Sequence, residues 1–136
     1  RLEGQVKRLM QVTVTKELIE AHYAEHAGKD FFAGLTERFI GKDVLVFELH
    51  SVHSCPDNIW IPGVRDAIGP TNPTSAAALD TIRGEWGWVE DSTTGAIYTN
   101  RGNCGQVDPN GVIYNVIHAS DSPEAVEREI AIWYGK

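Results

Sequence analysis

At 136 residues the chain is long enough to bury a real core and short enough to read as one domain. Its 42% hydrophobic and 23% charged content excludes a disordered chain, and a net charge of −7 argues against nucleic-acid partners, which need clustered Lys and Arg. No apolar run approaches membrane-spanning length and no signal-peptide pattern opens the chain, so a cytoplasmic protein with no membrane partner is expected.

Val6, Leu9, Met10 and Val12, set among polar residues, fit an early strand. Thr15 then caps a helix over about residues 16–26, with Leu18, Ile19, His22, Tyr23 and His26 along one side. Histidines at this spacing can chelate a metal, but no third ligand matches, so His22 and Tyr23 are read as packing and hydrogen-bonding residues. Ala27-Gly28-Lys29-Asp30 stops the helix, and residues 31–39 form a second, short one. Residues 43–49, Asp-Val-Leu-Val-Phe-Glu-Leu, make the clearest strand of the chain. His50, His53 and Cys55 follow at loose spacing, which favours a connecting loop over a zinc site. Cys55 and Cys104, the only cysteines, allow one disulfide at most and no disulfide framework.

Residues 58–68 are compatible with a short helix, broken or begun at Pro62-Gly63, that carries Arg65. Gly69-Pro70-Thr71-Asn72-Pro73 is turn chemistry, and small residues at 74–78 lead to Thr81-Ile82-Arg83-Gly84. Residues 87–111 are rich in turns: Asp91-Ser92-Thr93-Thr94-Gly95, Asn100-Arg101-Gly102-Asn103 and Asp108-Pro109-Asn110-Gly111. Between them Ala96-Ile97-Tyr98-Thr99 fits a short strand, paired in a hairpin with residues 112–116.

The chain is organised around its last segment. Val112, Ile113, Tyr114, Val116 and Ile117 form a strand ending on His118, and a polar turn then opens a helix. Ser120, Asp121 and Ser122 are cap candidates, Pro123 takes the first helical position, and Glu124 has capping-box spacing from Asp121. Val126, Ile130 and Trp133 face the core. A histidine where a strand yields to a helix N-terminus sits where backbone N–H groups and the helix dipole favour anions. Glu129, on the same helix, is placed to fold back and orient the ring.

The run Asn115-Val116-Ile117-His118-Ala119-Ser120-Asp121-Ser122-Pro123-Glu124, with Glu127-Arg128-Glu129-Ile130-Ala131-Ile132-Trp133 after it, resembles the active-site signature of nucleoside diphosphate kinases. His22-Tyr23-Ala24-Glu25-His26 with Lys29, Phe31 and Phe32, then Gly69-Pro70-Thr71-Asn72-Pro73, then Thr81-Ile82-Arg83-Gly84 agree in order, over roughly residues 9–134. The resemblance implies an α/β (α+β sandwich) fold, a ferredoxin-like antiparallel sheet with helices packed on it. It implies ping-pong transfer of the γ-phosphate of a nucleoside triphosphate, ATP as donor, to a nucleoside diphosphate through a phosphohistidine on His118. Glu129 and Ser120 would hold the ring, and Arg65, Arg83 and Thr71 would bind phosphates. Asn115 would contact the ribose or a phosphate oxygen, Phe31 would stack on the base, and Tyr23 and Lys29 would lie near phosphates. Mg²⁺ would bridge phosphate oxygens rather than being caged by protein, and a homo-oligomer (hexamer or tetramer) is implied.

The match has gaps. Family members open with a Lys-Pro-Asp strand and a helix that nothing here matches, so an N-terminally incomplete single domain is expected. Residues 87–111 read as an insertion that alters subunit contacts, covers the nucleotide or is a solvated loop. Ala119 stands where the family usually has glycine, and Asp30 where proline is common. The alternative reading is a catalytically impaired nucleotide-binding or scaffold relative.

Overall fold

The computed structural model describes residues 3–103 and 111–135. In chain order the elements are β1 (Gly4–Thr13), α1 (Lys16–His22), α2 (Phe32–Glu37) and β2 (Asp43–Ser51), then α3 (Asp57–Ile68) and α4 (Ile82–Trp86). They continue with β3 (Trp88–Glu90), β4 (Ile97–Tyr98), α5 (Asn100–Asn103), β5 (Val112–Tyr114) and α6 (Pro123–Tyr134). The chain falls into two compact units, Arg1–Cys55 with Ser122–Lys136, and Pro56–Asp121. Among the described residues no helix is long and apolar enough to cross a membrane. Cys104, and with it any pairing to Cys55, lies outside the described residues, as does the Asp108-Pro109-Asn110 turn.

In the first unit β1 and β2 pair antiparallel, from Gly4 opposite Ser51 to Thr13 opposite Asp43, with an irregularity between Val6 and Arg8. Residues opposite one another share a face. Met10 and Val12 lie against Val46 and Val44, partly buried. On the other face Leu9 meets Phe47, and both stay exposed. The Tyr134 hydroxyl of α6 donates to the Val46 carbonyl at 2.8 Å, and the Arg8 guanidinium lies 4.2 Å over the Tyr134 ring. Val14 and Ile19 are the buried apolar residues at the start of α1.

Thr15 caps α1 as expected, its hydroxyl accepting the Leu18 N–H at 3.2 Å. The helix is shorter than expected, ending at His22 rather than near His26. Beyond it the backbone tightens into a 3₁₀ turn, with His26 N–H bonded to the Tyr23 carbonyl at 2.8 Å. His50 lies within β2, opposite Gln5, rather than in the connecting loop where it was expected, and His53 follows the strand; their rings stand 3.4 Å from Glu48 and 3.9 Å from Glu3. At the other end of the segment, α6 starts on Ser122, whose Oγ accepts the Ala125 N–H at 3.0 Å. The cap thus falls one residue past Asp121, and the capping-box spacing to Glu124 is not used.

Arg8 on β1 reaches Glu48 on β2 with Nε and Nη2, at 3.2 and 3.1 Å. Those hydrogen bonds hold the Glu48 carboxyl below its usual range, against its own desolvation and with help from His50. A folded-state pKa below the unfolded value stabilises the protein above the unfolded value, about 4.3, and the benefit is lost as pH falls through the folded value. Glu48→Gln should therefore flatten the acid side of the stability curve. Urea midpoints measured from about pH 6 down to about pH 3 will show it, with a modest slope because both groups meet water.

In the second unit the sheet order is β4-β3-β5, antiparallel throughout. The expected hairpin of residues 96–99 with 112–116 is not formed; β4 pairs with β3, and β5 takes β3's other edge. The cause is local. The Asp91 carboxylate accepts the N–H groups of Thr93 and Thr94 at 2.8 and 2.7 Å, and Gly95 turns with φ 73°. That closes β3 onto β4, and the described part of the turn-rich region becomes an edge strand and α5. On β5's side Trp88 stacks on Tyr114, ring centroids 5.0 Å apart. Because β3 is only Trp88–Glu90, its pairing with β5 ends at Tyr114, and no other strand among the described residues continues it. The strand expected to run to His118 stops there. α3 runs unbroken from Asp57 to Ile68 through Pro62, where a break or a start was expected.

Candidate active site

α4 is built on Thr81, which caps it by accepting the Gly84 N–H at 3.1 Å and donates its own hydroxyl to the Ala78 carbonyl at 2.6 Å. Gly84 permits that approach: a Cβ there would stand 2.0 Å from the Ala78 oxygen. The close seat buries Arg83, which is 6% exposed. Its Nε donates to the Ile117 carbonyl and its Nη1 to the Gly69 carbonyl, both at 3.1 Å. From α3, Arg65 Nη1 donates to the Ala119 carbonyl. The two guanidinium groups thus grip the backbone on either side of His118.

A third tie precedes them. Asn115 Nδ2 donates to the Thr71 carbonyl at 2.8 Å, joining the segment to the Gly69–Pro73 turn. That turn is itself held. Asn72 Oδ1 accepts the Thr74 N–H and hydroxyl at 2.9 and 2.7 Å, and buried Asn100 donates to the Pro73 and Ser75 carbonyls at 2.9 and 2.8 Å. Asn72 and Asn100 were not singled out from the sequence. Asn100 in particular sits in the region set aside as an insertion, where only turn propensity was visible. Asn115 Oδ1 is buried with no hydrogen-bond partner among the described residues.

The second unit therefore brings together Arg65, Thr71, Arg83, Asn115, His118 and Ser120. The His118 ring is exposed, not packed in hydrocarbon, while Ile117 and Ala119 beside it are half-buried. Fixed backbone, an exposed imidazole and adjacent cations suit a polyanionic substrate. Apart from the His118 imidazole, the set offers guanidinium, amide and hydroxyl groups, which are poor ligands for a caged divalent cation.

The first unit holds the remaining candidates. Phe31 is half exposed, at 52%, so it does not meet the ordinary fate of a core phenylalanine. The His26 ring stands 5.3 Å from it, and Lys29 Nζ lies 5.7 Å over its face and 3.2 Å from His26 Nδ1. Tyr23 extends this aromatic row, 6.1 Å from His26 and 6.2 Å from Phe39. Glu129 is not in that row. It sits on α6, nearly covered, with Arg128 Nη2 3.4 Å from its carboxylate.

A profile of the family described as nucleoside diphosphate kinase matches residues 3–136. A nucleoside diphosphate kinase of Mycobacterium tuberculosis H37Rv is 34% identical over 122 residues, covering 90% of this chain and 69% of that protein. Among solved structures, the Aquifex aeolicus nucleoside diphosphate kinase superposes with a TM-score of 0.64 at 28% identity, over 96% of this chain and 74% of that one. The apo enzyme of Encephalitozoon cuniculi gives 0.65 at 26% identity, over 98% and 71%. The α+β class with antiparallel, ferredoxin-like sheet organisation holds.

Proposed function

This chain belongs to the nucleoside diphosphate kinase family, and on that premise we propose that His118 carries the phosphoryl group in ping-pong exchange between nucleotides. The observation behind this is the double grip of Arg83 and Arg65 on the carbonyls flanking an exposed imidazole. Phosphoryl transfer asks little covalent chemistry of a protein beyond placement, charge neutralisation and an in-line nucleophile.

An unprotonated ring nitrogen of His118, Nδ1 by family likeness, attacks the γ-phosphorus of a nucleoside triphosphate. The bond from that phosphorus to the bridging oxygen breaks, and its electron pair leaves with the diphosphate. A terminal oxygen of a second nucleoside diphosphate then takes the phosphoryl group and the imidazole is restored. ATP is the donor. Arg65, Arg83 and Thr71 neutralise and place the phosphates, and Arg83 adds its charge even though two of its donors are engaged with backbone. Glu129 and Ser120 orient the ring. Mg²⁺ arrives on the nucleotide as part of the substrate.

Asn115 offers a choice the sequence left open. Its Nδ2 is occupied by Thr71, and the partnerless atom is the acceptor Oδ1. An acceptor matches a ribose hydroxyl rather than a phosphate oxygen, and meeting one requires the Asn115 side chain to turn this buried atom outward. Phe31 stacks on the base, a contact that any base can make, with Lys29 and Tyr23 toward the phosphates. A cytoplasmic homo-oligomer, hexamer or tetramer, completes the reading.

The test is an assay with ATP and a different nucleoside diphosphate, together with trapping of the protein after ATP alone. Exchange plus a stable labelled protein before acceptor is added supports the reading. A chain that binds nucleotide yet neither labels nor exchanges is the scaffold relative instead.

A further inference from the structure

His22 is a buried histidine that this mechanism does not use. It closes α1 at 7% exposure, and a polar ring so covered needs its nitrogens paired. Trp133 Nε1, which can only donate, reaches His22 Nδ1 at 3.0 Å. Nδ1 is therefore the acceptor, and the ring proton is on Nε2. Two edge-on aromatic contacts fix the ring plane, from Tyr23 at 4.7 Å and Trp133 at 5.6 Å.

Trp133 and Glu129 lie one turn apart on α6 and project from the same side of it. A ring nitrogen of His22 lies within 4.8 Å of a Glu129 carboxylate oxygen. Arg128 ties the same two residues together, with Nη1 3.3 Å from the His22 carbonyl and Nη2 3.4 Å from Glu129 Oε2. With Nδ1 taken, the donor the ring can direct at that carboxylate is Nε2–H.

We infer that His22 is a positioning residue: Trp133 sets its tautomer, and its Nε2–H sets where the Glu129 carboxylate sits. This rests on the reading of His118 as phosphoryl carrier and Glu129 as its orienting group. The sequence places His22 among packing and hydrogen-bonding residues, and the ring is indeed buried and bonded to Trp133. What spacing alone could not name is the partner, which lies on α6.

The experiment is a double-mutant cycle on the full chain, with His22→Phe, Glu129→Gln and both together. It is read as the rate of phosphoenzyme formation at saturating ATP and as the ATP KM. His22→Phe should slow phosphorylation roughly tenfold with KM nearly unchanged, and cost almost nothing further once Glu129 is Gln. Equal losses in both backgrounds would overturn the inference. If the Phe variant does not fold, His22→Gln enters the same cycle. Ring ¹⁵N shifts of His22 in the wild-type protein give an independent reading, since a proton on Nδ1 would also overturn it. Failure of the wild-type protein to label at all would count against His118, not against His22.

Discussion

His118→Ala should abolish phosphoenzyme formation and lower nucleotide exchange roughly 10⁴-fold or more, the scale on which loss of a nucleophile acts, with the protein still folded. The fold survives because the segment is held by its backbone and by Asn115. Arg83 binds the Ile117 carbonyl, Arg65 the Ala119 carbonyl, and Asn115 the Thr71 carbonyl, none of which needs the imidazole. An exposed side chain with that support costs stability by roughly half a kcal/mol or less when truncated. The check is labelling with ATP carrying a radioactive γ-phosphate, read beside a urea midpoint. Residual label on a folded His118→Ala protein assigns the phosphoryl group to another residue.

What the sequence revealed follows from what periodicity and propensity encode. Alternation made β2 plain, and Thr15 and Pro123 marked helix starts because caps act through their own neighbours. Ser120, Asp121 and Ser122 can each cap by residue type; Pro123 at the start of the helix and the Ser122 Oγ bond to the Ala125 N–H make Ser122 the cap. Strand pairing was less legible. β3 is three residues, too short for a period, so the Asp91 turn was seen without the strand that precedes it. The candidate site residues were chosen by family likeness, which says nothing of their partners. Nothing in Thr81-Ile82-Arg83-Gly84 says that the fork meets two carbonyls far along the chain, because that depends on how closely Gly84 lets α4 approach residue 78. His22 shows the same limit, since its meaning lies in Trp133, distant in sequence and adjacent in space.

Arg83 carries the second large effect. Arg83→Ala should destabilise the protein by roughly 3 kcal/mol and slow phosphoenzyme formation by more than the loss of one charge explains. The stability loss comes from removing a buried cation that donates to the Gly69 and Ile117 carbonyls, each such bond being worth about 1.5–3 kcal/mol and the pair less than additive. The kinetic loss comes from position, because Ile117 precedes His118 and a loosened carbonyl lets the nucleophile wander from in-line geometry. Arg83→Lys separates these causes. It keeps the charge, but a compact ammonium on a flexible stem cannot reproduce the planar fork that bridges the two carbonyls. If geometry dominates, the Lys variant resembles Ala in labelling rate and recovers little stability. Arg65→Ala, which releases one carbonyl from a half-buried side chain, should lose less stability than Arg83→Ala. Urea midpoints at unchanged slope, set beside single-turnover labelling rates for the three variants, test the ordering. An Arg83→Ala protein as stable as wild type would show that the buried fork does not hold the His118 segment, and Arg83 would then be a phosphate ligand alone.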